Sequence, residues 1–325
     1  MSQQPIKITN ATDLLDVLPA LLGFYPTESL CVLVLDSDGR KVALTARVDL
    51  PTTPDSLTAA DQMLATFLQR YGSLALVAYS ADYDTAHTTV RHLVRSLDPT
   101  RVTTALVAAP RGWTHIDPET PDTVQWTNPY PTGTGVAAAA AAAAGLAAYG
   151  TREDLRDSIA APDQTSTHAF HHAYTVERFP TDPTPAKVAA TTQEVVEHVR
   201  GYLAQPYTIT TDDAAYLAAR IQHLHVRDTA WSLMDRATGR VHADLWRGVA
   251  ALTPDTAVVL PVLGLLGMAG WIGGDGALAN VAIERADQVP GGAAYSMLRL
   301  LQEVVEKAVP PTTWDQMVTD LRRIL

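Results

Sequence analysis

A chain of 325 residues with 47% hydrophobic side chains can bury a sizeable core, and its length predicts two domains or one large one. Net charge is −11; both halves share the acidic excess (nine Lys/Arg against fourteen Asp/Glu over 1–150, fifteen against twenty-one over 151–325), which excludes a basic, phosphate-tracking surface. The lone cysteine, Cys31, excludes an intramolecular disulfide and a thiolate metal cluster, and the opening MSQQPIKITNATDLL lacks the pattern of a secretory signal, so the expected compartment is the cytoplasm.

The first predicted element is a short helix capped by Thr12, with Leu14, Leu15, Val17, Leu18, Leu21 and Leu22 on its apolar face and Pro19 expected to kink or split it. Two β-rich runs follow, 30–35 and 42–50, with Asp38-Gly39 between them as a hairpin signal. Apolar residues at i, i+3, i+4 spacing from Leu57 to Tyr71 predict a helix, 74–79 a short apolar strand, Val90 to Leu97 a second helix, and 102–108 another strand. Strands alternating with helices require crossovers, so the front of the chain reads as an α/β domain: a β-hairpin plus βαβαβ in a mixed sheet. The proline-containing stretch 109–135 reads as loop, and the alanine tract 137–144, closed by Gly145, as a tightly packed helix.

Residues 161–186, rich in Thr, Pro, Asp and His, read as an irregular linker between an α/β domain over 1–160 and an all-helical domain over 187–325. Helices are expected from Pro185 onward, including a long one within 214–234, another over 241–252, and four near 257–271, 275–288, 293–308 and 312–325. The uncharged stretch 256–274 reaches the length of a membrane helix. Pro261, the glycines Gly264, Gly267 and Gly270 and the missing flanking cations favour a wholly buried helix, and no membrane association is expected. The intervals Leu263, Leu266, Gly267, then Ala279, Ile283, Ala286 and Pro290 resemble one tetratricopeptide-like helical hairpin; an ordinary hairpin that needs Gly and Ala at its crossing fits equally.

Several segments in order carry a further resemblance. They are 18–35 (LPALLGFYPTESLCVLVL), Arg47-Val48-Asp49-Leu50-Pro51, Arg111-Gly112-Trp113, 151–155 (TREDL), Val226-Arg227-Asp228, Trp271 with 274–279 (GDGALA), and 309–314 (VPPTTW). Together they resemble an actinobacterial family known as domain of unknown function 4192. The resemblance spans nearly the full chain and implies one architecture, α/β then helical, and no reaction. Relatives of that kind carry clustered cysteines in the loop corresponding to 114–126. That loop here, THIDPETPDTVQW, has none, so a thiol or metal role cannot transfer to it.

No catalytic constellation stands out. Gly133-Thr134-Gly135-Val136-Ala137-Ala138 fits GxGxxA at a helix start, but Pro131 lies where a preceding strand would be needed, so a helix cap is the simpler reading. His168, His171 and His172, and the pair His223 and His225, lack the supporting ligands of a metal site. No cofactor and no metal are expected. The candidate binding residues are Arg111 and Trp113, beyond the last strand of the α/β unit; Arg227 and Asp228, an ion pair; and Trp271 and Asp275, with Asp275 also placed to cap a helix.

The leading functional reading is a non-enzymatic adaptor that binds a protein or peptide through an exposed apolar groove over 246–290. The alternative is a small-molecule or nucleotide-binding protein, or an enzyme, with its site at the C-terminal edge of the sheet near Arg111 and the 133–136 turn. A mainly structural subunit of a homo-oligomer is the third.

Overall fold

The computed structural model describes residues 7–110, 112–121, 125–126, 135–143, 146, 148 and 150–324, which divide into two compact units, Met1–Arg152 and Glu153–Leu325. The first opens on helix α1 (Ala11–Leu22). Its cap is Asn10, whose side chain accepts the Asp13 N–H at 2.9 Å, so the Thr12 assignment was two residues late. The helix also runs unbroken through Pro19 and ends at Gly23 (φ 81°). Burial of Leu14, Leu15, Val17, Leu18 and Leu22 holds this last turn despite the lost N–H.

Strands β1 (Ser29–Leu35) and β2 (Val42–Asp49) form the expected antiparallel hairpin, and Gly39 (φ 67°) supplies the left-handed residue of the connection. Helix α2 (Pro54–Arg70) starts at a reciprocal Thr53–Ser56 capping box, and leads to β3 (Ser73–Tyr79). Helix α3 (Tyr83–Ser96), capped by Asp82, leads to β4 (Val102–Ala109). Strand β1 is antiparallel to β3, and β3 is parallel to β4, so the hairpin-plus-βαβαβ reading and the mixed sheet are correct.

The expected loop over 109–135 is partly wrong: the chain turns back after β4 into β5 (Gly112–His115), paired antiparallel, and β6 (Gln125–Trp126) extends the sheet to the order β2-β1-β3-β4-β5-β6. Strands of four and two residues are too short to show a period. Helix α4 (Val136–Ala143) sets Ala137 and Ala141 on Val17 of α1; Ala139, Ala140, Ala142 and Ala143 are exposed, so the expected tight packing holds for one face of the tract only.

Arg101 ties this unit together. Its guanidinium donates to the carbonyls of Gly72 (2.8 Å), Leu68 (2.7 Å) and Tyr71, capping the C-terminal end of α2. Arg101→Ala should lower stability by about 1–3 kcal/mol, the cost of leaving carbonyls unpaired at a helix end. A urea unfolding midpoint unchanged from that of the parent chain would contradict this role.

The second unit is helical: α5 (Arg152–Asp157), α6 (Gln164–Glu177), α7 (Pro185–Ala204), α8 (Thr211–Arg220), α9 (Leu224–Ser232), α10 (Gly239–Leu252), α11 (Val259–Ile272), α12 (Gly276–Asp287), α13 (Ser296–Glu306) and α14 (Trp314–Ile324). Two expectations need correction. Within the proposed irregular linker over 161–186, residues 164–177 form α6, capped by Asp163 and packed on α8, and 178–184 are irregular. The single long helix within 214–234 is two, α8 and α9, separated by a turn at 221–223.

All fourteen residues of α11 are buried, and at about 1.5 Å per residue it spans roughly 21 Å. Among the described residues no helix is long and apolar enough to cross a membrane. Helices α11 and α12 form the expected hairpin, and α13 packs on it. A methyl at Gly267 would sit 2.3 Å from Leu301 Cδ2 and 3.4 Å from Ala282 Cβ, and one at Gly264 2.9 Å from Met297 Sδ. The small residues of this hairpin thus admit α13 as well as α12. Trp314 Nε1 donates to the Met234 carbonyl (2.9 Å) while its ring stacks on Trp231, which anchors α14.

Candidate functional site

The structure scatters the residues singled out in the sequence. Arg111 lies outside the described residues. Trp113 is half-buried on β5, opposite Ala108. Arg227 is buried on α9. Its guanidinium donates to Asp228 Oδ1 (2.8 and 2.6 Å) and to the Tyr295 hydroxyl (2.7 Å), so the predicted ion pair anchors α9 to the segment before α13. Trp271 is buried with Nε1 donating to the Val309 carbonyl at 3.0 Å. Asp275 caps α12, accepting the Leu278 N–H at 2.9 Å, and desolvation raises its carboxyl pKa. No hydrogen bond or ion pair joins Arg227 or Asp228 to Trp271 or Asp275; these four serve the packing of the helical unit.

Nor does 246–290 present an apolar groove. No large hydrophobic side chain of this stretch is exposed: Trp246 and Val249 are buried on α10, α11 is buried throughout, and α12 buries Leu278, Val281 and Ala286. Its apolar faces are covered by the unit's own helices. The GxGxxA turn has a similar fate at its described end. A Cβ on Gly135 would fall 1.7 Å from Asp16 Oδ2, so the start of α4 abuts a carboxylate of α1, where an anionic pyrophosphate would be repelled. Gly133 and Thr134 lie outside the described residues.

A concave site does exist at the end of the sheet expected to carry one. Strands β3 and β4 are parallel, and a pocket of about 390 Å³ opens where both end, walled by Tyr79, Ser80 and Ala81 at the end of β3 and by Ala108, Ala109, Pro110 and Gly112 around the β4–β5 turn. Arg111 falls in sequence between two of its lining residues.

The third wall is Pro26, Thr27 and Glu28, just before β1. Glu28 has φ 43°, one of two non-glycine residues with positive φ among the described residues. Three hydrogen bonds fix it there. Its carbonyl accepts the Leu50 N–H (2.9 Å), Oε2 accepts the Ser80 hydroxyl (2.7 Å), and Oε1 accepts the Ala81 N–H (2.8 Å). Ser80, buried, in turn accepts the Asp82 N–H at 3.0 Å. A left-handed non-glycine residue costs of order 1–3 kcal/mol and persists where its surroundings over-determine it.

The described lining contains a carboxylate and no Lys or Arg, and the Ser80 hydroxyl proton is already directed at Glu28. Acceptors therefore dominate the described lining. Glu28 escaped the sequence reading because a lone Glu before a strand has no pattern; only the pairing of β1 with β3 brings it to Ser80. Cys31, by contrast, is fully buried on β1, and desolvation pushes its thiol up to about 12, which makes it a poor nucleophile. Among the described residues no group of three His, Cys, Asp or Glu could hold a metal ion.

The family described as "Domain of unknown function (DUF4192)" matches residues 12–312, most of the chain. The chain belongs to that family. For this DUF4192 member the match runs through both compact units, from α1 to the turn before α14, and its description states no activity. No curated protein and no solved structure matches the chain.

Proposed function

We propose that the first unit binds a small molecule carrying a protonated amine in the pocket at the C-terminal ends of β3 and β4, with the Glu28 carboxylate as its anchor. The observation that carries this reading is the fixed, left-handed Glu28 on the wall of that pocket, held by three hydrogen bonds and facing no described cation. Each carboxylate oxygen has a lone pair beyond the one its protein donor uses, so an ammonium can be accepted without breaking the Ser80 and Ala81 bonds. A pocket of about 390 Å³ falls at the small end of the range for ligand sites. The adaptor reading finds no support in 246–290, where the apolar side chains are covered.

The test is calorimetric titration of the full chain with 1,4-diaminobutane and ethanolamine, set against adenosine monophosphate and butanoate. The amines should bind and the anions should not. Glu28→Gln keeps the shape and one carbonyl acceptor, and should weaken amine binding at least tenfold while moving the thermal unfolding midpoint by only a few degrees. Equal amine affinity in Glu28→Gln, or a preference for the anions, would remove the proposal.

A further inference from the structure

The two crossovers of the sheet, β2 to β3 and β3 to β4, advance in the same direction, so their right-handedness puts α2 and α3 on one face. The opposite face presents Leu33, Ala75 and Thr104 in register, with Leu35 beside them, and is roofed by α1. The roof leaves a cavity of about 840 Å³ between Leu14, Val17 and Leu21 of α1 and those strand residues. A bulge in β4, where Ala75 pairs with Thr104 although Leu74 pairs with Val102, adds Thr103 to its wall. The cavity sits at the start of β3, the end of the sheet away from Glu28, and its ligand is independent of the amine proposal.

Its mouth combines two features. Ile8 and Val42, large apolar residues left 37% and 38% exposed, line it. So do Lys7, Arg40 and Lys41. Among the described residues, none of these three side chains makes an ion pair. Asp36 uses Oδ1 to accept the backbone N–H groups of Arg40 (2.9 Å) and Lys41 (3.2 Å), and exposed Asp38 pairs with none of the three. A chain of net charge −11 thus gathers three cations where an apolar cavity opens.

We infer that this cavity binds a monomeric long-chain carboxylate, its acyl chain lying against Leu14, Val17 and Leu33 and its carboxylate among Lys7, Arg40 and Lys41. An apolar wall ending at a cationic mouth is complementary to an acyl chain that ends in an anion, and the volume lies within the range of ligand pockets. Selectivity should run against the net charge of the protein, because the described lining carries three cations and no carboxylate, although Asp36 lies close enough to Lys41 for Lys41 to lower its pKa.

The test is isothermal titration of the full chain with sodium dodecanoate below its micelle concentration. One site per chain is expected. Decanoate, shorter by two methylenes, should bind roughly tenfold more weakly. Dodecylammonium, with the same tail and the opposite charge, should bind at least tenfold more weakly than dodecanoate. The exposed double variant Arg40→Glu/Lys41→Glu should lose at least tenfold in dodecanoate affinity, and Leu21→Trp, which fills the cavity from α1, should abolish binding. Dodecylammonium binding as well as dodecanoate, unchanged affinity in the double charge variant, or binding only to phosphatidylglycerol vesicles with none to dodecanoate would each overturn the inference.

Discussion

Arg285→Met is expected to destabilise the helical unit by about 3–5 kcal/mol, although methionine fills most of the same volume. Arg285 is buried on α12 and its guanidinium is fully employed. Nε donates to Asp255 Oδ1 (2.8 Å), Nη2 to the Thr253 carbonyl (2.7 Å), and Nη1 to the carbonyls of Ala250 (2.8 Å) and Ile159. Ala250 and Thr253 lie at the C-terminal end of α10, where carbonyls run short of helical partners; the Ala250 carbonyl accepts the capping Thr253 N–H, and the guanidinium adds a second donor there and one to Thr253. One planar cation therefore closes the end of α10, the start of the following loop and the segment after α5. Removing it leaves the Thr253 and Ile159 carbonyls without this donor, each costing about 1–3 kcal/mol unless water reaches it, while the Ala250 carbonyl keeps the Thr253 N–H (3.1 Å). Arg285→Lys should recover only part of the loss, because a single ammonium cannot span the fork. Urea unfolding followed by circular dichroism checks both. A shift under 1 kcal/mol for Arg285→Met would show that the network is dispensable.

The second large effect is acid sensitivity centred on His242. Its ring is fully buried on α10, neither nitrogen makes a well-formed hydrogen bond, and desolvation pushes its pKa from 6.5 down to about 4; Asp235 and the Leu233 carbonyl only partly oppose this. The folded state thus holds the neutral imidazole, while the unfolded chain takes up a proton below its ordinary value. Stability from this group is complete above about pH 6.5 and is lost as pH falls from there through 4, by about 3 kcal/mol in total. The hydrogen-bonded carboxylates Asp13, Asp82, Asp98 and Asp163 are shifted below 3.8 and lose their contribution at lower pH; above that, burial lowers His198 in the same sense as His242, and burial raises the Asp275 carboxyl, which opposes both. His242→Leu should remove about 3 kcal/mol of the loss between pH 6.5 and 4 relative to the parent chain. A His242→Leu chain that loses as much stability as the parent over that range would contradict the account.

The architecture was legible where hydrophobic periods were long. The β1–β2 hairpin, both crossovers and most helices of the second unit follow from them, and charge-free 256–274 contains the buried helix α11, against which α10, α12 and α13 pack. Legibility failed where a local signal competed with packing. Pro19 reads as a break, yet α1 continues because its last turn buries Leu22; β5 and β6 are too short to show alternation; and α6 hides among Thr and His, with Phe170 its one buried side chain.

The site residues fared worse for a single reason. Arg227, Trp271 and Asp275 carry recognisable side chains, but such side chains also serve as anchors, and sequence alone does not separate the two uses. Glu28, Ser80 and Arg285 act through partners 52, 30 or more residues away, a relation visible only after folding. What the sequence did indicate was place: ligands of parallel strands gather beyond their C-terminal ends, and the pocket is there.

The most direct measurement is amide chemical-shift mapping of the full ¹⁵N-labelled chain during titration with 1,4-diaminobutane. The account predicts saturable shifts centred on Glu28, Ser80, Ala81 and Gly112, which vanish in Glu28→Gln while the remaining spectrum is preserved. Saturable shifts centred elsewhere, or none at millimolar diamine, would contradict a Glu28-anchored site.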